Sequence, residues 1–178
     1  MEFGTWKTIL WRQFSAAVDM LENGLAGCPE ALWGEPMLSE RSDRPDLSQF
    51  WYVAYHTLFW LDLYLDGAVE GFAPPAPFDL AELDPQGLLP ERQYSRQELL
   101  GYLAHCRAKC REKIESLTET GAERLCKFGW GELLYVELLL DNMRHVQEHA
   151  AQLNLFLGQR IAAEPGWVAR GRVSREGE

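Results

Sequence analysis

The sequence lacks long uncharged apolar runs and is poor in basic residues. No stretch approaches the ~18–20 apolar residues of a membrane span, and no basic segment followed by an apolar one resembles a secretory signal. Lys and Arg number 17 against 27 Asp and Glu, which gives a formal charge of −10. Phosphate binding needs clustered basic side chains. We therefore expect neither a membrane nor a nucleic acid as a partner.

The best basic cluster lies in one predicted helix and contains Arg107, Lys109, Arg111 and Lys113. Acidic residues dilute it, and a solvated helix face is the favoured interpretation. The chain is equally short of cysteine, with only four. Four cysteines without a secretory signal indicate a reduced, cytoplasmic protein.

Two of these cysteines form a second pattern that deserves weighing. Cys106 and Cys110 share a helix face, but a metal site there would need further ligands such as His105 and Cys126 to converge. His105 points about 100° away from Cys106 on a helix. Small buried thiols are therefore the favoured interpretation.

Apolar periodicity and capping residues predict an all-α protein without strands. The predicted helices run from Thr5 to Asn23, from Asp46 or Ser48 to Asp66, from the capping box of Ser95 and Glu98 to Thr120, and from Gly131 to Leu157. Residues 25–46 are expected to form a loop. Residues 1–158 are predicted to form one domain, and residues 159–178 a partly disordered tail that Trp167 pins down.

Residues 67–94 are rich in proline and long enough to return the chain along a helix. Such a crossover makes helices 2 and 3 parallel, and four long helices with one crossover predict a four-helix bundle. Helix 2 is apolar on nearly every side, with Tyr52, His56, Phe59 and Leu63 on one face. Tyr52 and Phe59 belong either to the core or to a pocket around His56. Either the crossover or a second subunit covers the other face, and a homodimer is expected.

Three of the four histidines form the most informative pattern. His145 and His149 are four residues apart in helix 4, so both rings leave the same face one turn apart. His56 lies on an apolar face of helix 2. If the helices pack together, the three imidazoles converge as the ligands of a metal site with an open position. The alternative is three histidines satisfied in the core or at the surface.

The residues around this pair carry further hypotheses. The segment from His145 to His149 also spells H-x-x-E-H, the inverzincin protease pattern, with Glu148 as base. Too little chain follows for the acidic ligand of such a protease, so Glu148 is interpreted as a solvated or supporting carboxylate. Asp141 and Gln152 are candidates for holding the other ring nitrogen of each histidine. Asn142 and Arg144 lie on the same helix. They either face a substrate or, as we favour, lie at the surface.

The helix 4 segment from Asn142 to Leu153 resembles the last helix of the DinB-like superfamily, also called YfiT-like metal hydrolases. Members pair an HxxxH in helix 4 with a histidine in the middle of helix 2, which His56 matches. The resemblance covers about residues 5–158. It implies an up-down-down-up four-helix bundle, often a homodimer, that binds a divalent metal through His56, His145 and His149.

The resemblance implies zinc or nickel as the metal, with manganese or iron as alternatives. Relatives include S-transferases that use low-molecular-weight thiols and maleylpyruvate isomerases. We therefore expect a metal-dependent transferase or hydrolase, such as a thiol S-transferase, acting on a small molecule. The competing hypothesis is a non-catalytic metal-binding or small-ligand-binding protein. No residue can be assigned a catalytic role from the sequence.

Overall fold

The structure of the chain is a computed structural model that describes residues 2–37, 44–162 and 166–171. Parts of the predicted loop over residues 25–46 and of the predicted tail over residues 159–178 lie outside these ranges. Across the described ranges, no helix combines the length and the apolar character that crossing a membrane requires.

The described part of the chain is mostly helical, which confirms the predominantly α-helical class. Within the described residues there are four long α-helices, one short α-helix and one two-stranded hairpin: α1 (Phe3–Gly27), α2 (Phe50–Asp66), α3 (Arg96–Glu115), α4 (Glu119–Ala122), β1 (Leu125–Phe128), β2 (Gly131–Leu134) and α5 (Tyr135–Ile161). The predicted C-terminal end of the third helix, Thr120, and the predicted start of the fourth, Gly131, were wrong, because α4 and the hairpin occupy that junction.

The caps that the sequence signals are formed. Ser95 accepts a hydrogen bond from the backbone of Glu98, whose side chain accepts from the backbone of Ser95 in return. Gly67 ends α2 in the left-handed conformation at φ 72°, where a Cβ would be strained. Local chemistry therefore fixes the two helix ends that border the crossover.

The hairpin contradicts the expectation of no strands. Its strands pair antiparallel, with Leu125 opposite Leu134 and Phe128 opposite Gly131. Cys126 points into the core, whereas Leu125 and Leu134 are exposed. The two residues between the strands, Gly129 and Trp130, match the length of a tight hairpin loop.

The four long helices pack in a ring in which α1 and α2 each contact both α3 and α5. The Lys7 ammonium of α1 donates to the backbone carbonyl of Glu115 near the end of α3. Asp19, which follows Lys7 in α1, pairs with Arg107, which precedes Glu115 in α3. These pairs run in opposite directions along the two helices.

The basic residues of α3 are not a simple solvated face, so that interpretation was wrong in part. Arg107 pairs with the buried carboxylate of Asp19, and Lys109 donates to the buried carboxylate of Asp62 at 2.6 Å. Arg111 pairs with Glu115 on its own helix. Arg107 and Lys109 therefore tie α3 to α1 and α2 through buried carboxylates.

The crossover covers the second face of α2. Phe72 packs edge-on against Phe59, and Phe78 stacks on Tyr55. Almost all of α2 is buried within one chain, with only His56, Trp60 and Asp66 partly exposed. The surplus apolar face that suggested a homodimer is therefore absent from this helix, and the homodimer stays a prediction without that support.

The four cysteines are free and buried, which confirms the interpretation of Cys106 and Cys110 as small buried thiols. The thiol of Cys106 lies 3.6 Å from the carbonyl oxygen of Leu58 on α2. Burial raises the pKa of Cys106 and of Cys110. Neither thiol is suited to act as a nucleophile, since the thiolate is the reactive form.

The described part of the C-terminal segment lies along α1. The amide of Gly171 donates to the carbonyl of Arg12 at 2.9 Å, and Gln13 donates to the carbonyl of Ala169. Val168 packs against the core, but the side chain of Trp167 is 74% exposed. Backbone contacts, more than the Trp167 ring, hold this segment.

Candidate metal centre

Helices α2 and α5 are held in register by side chains of α5 that donate to carbonyls of α2. The Asn142 amide donates to the carbonyl of Leu61 at 3.0 Å, and the Tyr135 hydroxyl donates to that of Leu65 at 2.6 Å. Asn142 is fully buried, so its favoured surface role was wrong. It holds together the two helices that carry the histidines.

The structure brings the three predicted histidines together. One ligating atom from each of His56, His145 and His149 lies within 4.8 Å of the other two. The ring centroids are 5.5 Å apart for His56 and His145 and 4.6 Å apart for the pair on α5. Within the described residues, no other group of histidine, cysteine and acidic side chains meets this criterion.

Two of the imidazoles are oriented through their Nδ1 atoms. His56 Nδ1 lies 2.7 Å from a carboxylate oxygen of Glu82, and His149 Nδ1 lies 2.9 Å from the amide oxygen of Gln152. Both acceptors require Nδ1 to carry the proton, which leaves each Nε2 with a free lone pair. That is the tautomer in which a histidine ligates a metal through Nε2.

The third imidazole, that of His145, lacks a hydrogen-bond partner at one ring nitrogen within the described part of the chain. His145 Nδ1 is buried and has no hydrogen-bond partner among the described residues. A buried polar atom without a partner is costly, and such atoms usually mark a bound ion, a water molecule or a functional group. An ion ligated by this nitrogen, or a water molecule bound beside it, would give it a partner.

Electrostatics keep the two α5 histidines neutral. Burial, aided by repulsion from the other two imidazoles, lowers the pKa of His145 to about 3. Burial also lowers the pKa of His149, although its hydrogen bond to Gln152 acts in the opposite direction. Metal binding needs the neutral ring, so both histidines are ready to ligate at neutral pH without losing a proton.

Glu82 is the residue that the sequence analysis missed. It lies in a 3-10 turn of the crossover (Ala81–Leu83), whose first amide is capped by Asp79. Its side chain is only 4% exposed, and the oxygen that faces His56 also accepts from the indole N–H of Trp60 at 3.0 Å. The crossover thus delivers a buried carboxylate to the histidine cluster.

Glu82 is held in its charged form. Burial raises its pKa, but the hydrogen bonds from His56 and from Tyr52 and Trp60 outweigh this effect, and the pKa is lowered overall. The Tyr52 ring also lies 6.4 Å from that of His56. Tyr52 is therefore part of the site, whereas Phe59 packs against Tyr55 and Phe72 in the core.

The other predicted neighbours divide. Gln152 holds His149 as expected, but Asp141 lies by Arg144 at 3.5 Å instead of holding His145. Arg144 is exposed, as favoured, and so is Glu148. Glu148 therefore fits the solvated carboxylate better than a protease base.

Fold and site together define a mostly helical protein in which two packed helices present three imidazoles to one point, suited to a metal ion. The model of the DinB superfamily matches residues 10–153, and the chain belongs to that superfamily. Comparisons with curated proteins and with solved structures gave no match.

Proposed function

We propose that His56, His145 and His149 hold one divalent metal ion, with zinc or nickel favoured over manganese or iron. The observation that carries the proposal is the convergence of three imidazole ligand atoms within 4.8 Å. The unpartnered Nδ1 of His145 and the two oriented Nε2 atoms fit such an ion. Three protein nitrogens leave at least one position open on a tetrahedral metal.

The proposed activity is a metal-dependent transfer or hydrolysis on a small molecule, with thiol S-transfer as the particular reaction. A bound divalent metal supplies Lewis acidity and lowers the pKa of a water or thiol at its open position. The protein supplies orientation. Glu82 keeps the proton on His56 Nδ1 and adds negative charge beside the cluster. Gln152 keeps the proton on His149 Nδ1 but adds no charge.

The proposed architecture is an up-down-down-up bundle in the cytoplasm. Cys106 of α3 contacts Leu58 of α2, and Lys113, further along α3, pairs with Asp66, further along α2. Contacts that advance together along both helices support a parallel arrangement of α2 and α3. The pairs between α1 and α3 run in opposite directions along the two helices, which supports an antiparallel α1 and α3. The bonds from α5 to carbonyls of α2 also run in opposite directions, which supports an antiparallel α2 and α5. This order places both histidine-bearing helices side by side.

Cobalt substitution tests the open position. We expect a low-molecular-weight thiol, added to the cobalt protein, to give the intense near-ultraviolet band of direct cobalt–sulfur contact. An activity screen with the metal restored and several thiols present then separates an enzyme from a binding protein. A cobalt spectrum that no thiol or carboxylate perturbs would mean a closed site and would favour the non-catalytic metal-binding alternative.

Glu82 should tune the affinity for the metal. Replacing Glu82 with Gln removes the charge that fixes the tautomer of His56, and we expect zinc to bind about 10–100-fold more weakly. Competition with a chromophoric chelator measures the affinity. The control is Glu148→Gln, which removes an exposed carboxylate next to His149 in sequence and should change little. Equal effects of the two substitutions would contradict the role of Glu82.

A further inference from the structure

An apolar pocket of about 450 Å³ adjoins the histidine cluster. It lies between α5 and the segment that leads into α2. This α2–α5 pocket is lined by five apolar side chains and by four polar ones: Met37, Leu47, Val53, Leu155 and Phe156, with Ser48, His149, Gln152 and Gln159. Its volume falls within the range of about 300–1,000 Å³ that is typical of small-molecule sites.

The pocket borders the candidate metal centre. The imidazole of His149 forms part of its wall, and so does Gln152, which accepts the hydrogen bond from His149 Nδ1. Val53 lies one turn before His56 on α2. A molecule bound at the histidines can therefore extend along His149 into apolar surroundings.

The charges of the residues that line the pocket determine which ligands it favours. Among the described residues that line the pocket there is no aspartate, glutamate, lysine or arginine. The guanidinium of Arg160 lies over the Phe156 ring, 5.1 Å from its centroid, but Arg160 itself is exposed and does not line the pocket. Burying a charged group there without a partner would be costly.

We propose that the α2–α5 pocket binds an uncharged alkyl group of the small molecule whose polar group binds at the histidine cluster. This inference rests on the proposed function, because it takes the open metal position as the anchor of the ligand. It narrows the substrate class to molecules that join a metal-binding group to an apolar chain. Highly charged small molecules of the same size are disfavoured.

The test uses the cobalt-substituted full chain and a series of straight-chain thiols: ethanethiol, butanethiol and hexanethiol. We expect the dissociation constant, followed by the near-ultraviolet band, to fall about threefold to fourfold for each added CH₂ group that is buried. Mercaptoethanesulfonate, which ends in a charge, should bind more weakly than butanethiol.

A pair of variants locates the effect. Leu155 lines the pocket and is 57% exposed, so Leu155→Asp should fold and should abolish most of the gain with chain length. Leu140→Asp places the same charge at another exposed leucine of α5, outside the pocket, and should leave the gain intact. The wild-type series alone already decides whether chain length matters.

The outcomes separate the two proposals. Thiol bands without chain-length dependence, or with a dependence that Leu155→Asp does not reduce, would overturn the pocket assignment and leave the metal site standing. A cobalt protein that gives no band with any thiol would overturn the open metal position, and the pocket assignment that rests on it would fall as well.

Discussion

His149→Ala should lose the bound metal. The wild-type protein, made in medium that contains zinc, nickel and manganese, is expected to carry about one divalent ion per chain, and the variant less than about a tenth of that. The physical reason is that only two imidazoles would remain, below the three protein ligands of typical catalytic sites. Elemental analysis of the purified proteins measures the content.

The control for this variant is His105→Ala. His105 is the remaining histidine of the chain and lies outside the cluster, 44% exposed and 3.4 Å from Asp62. Its removal should leave the metal content unchanged, which excludes a general effect of losing an imidazole. Full metal content in His149→Ala would end the assignment of the three histidines as ligands.

The sequence could predict the histidines because two of them obey a local rule. His145 and His149 share a helix face by spacing alone, and the helical periodicity around them is long and strong. His56 was harder, since nothing local says which face of α2 meets α5. There the resemblance to a family supplied the pairing, and the hydrogen bond of Asn142 to Leu61 explains how the chain achieves it.

Glu82 was beyond sequence reasoning because its role depends on how the crossover folds. The residue lies 26 positions after His56, in a segment without periodicity, and it is one of several acidic residues in that segment. The packing of Phe78 on Tyr55 and of Phe72 on Phe59 helps to bring that turn to the site. Such contacts leave no regular pattern in a sequence.

The hairpin, by contrast, had a signal that was overlooked. A two-residue loop of Gly129 and Trp130 separates two runs of four residues, which is a recognised hairpin length. Leu133 and Leu134 fit the start of a helix as well as the end of a strand. Runs this short are ambiguous between helix and strand, and tertiary packing decides between them.

Lys109→Met should destabilise the protein by about 3 kcal/mol. Lys109 donates to Asp62 at 2.6 Å and to Asp66 at 2.8 Å, and the Asp62 side chain is only 1% exposed. Removing the ammonium leaves Asp62 with the Tyr102 hydroxyl as a donor and His105 at 3.4 Å. A buried carboxylate that loses its charged partner costs about 3–5 kcal/mol, and the partial exposure of Lys109 favours the lower value.

Urea unfolding followed by circular dichroism measures this loss, and two variants interpret it. Lys127→Met removes an ammonium from an exposed pair with Glu132 at 2.8 Å and should change stability little. The double variant Asp62→Asn with Lys109→Met removes both charges and should recover most of the lost free energy, since an uncharged amide is cheaper to bury than a lone carboxylate. If Lys109→Met costs no more than Lys127→Met, the tie between α2 and α3 does not depend on this buried pair. If the single variant is costly and the double variant recovers nothing, the cost comes from lost packing of the lysine stem and not from the charge of Asp62.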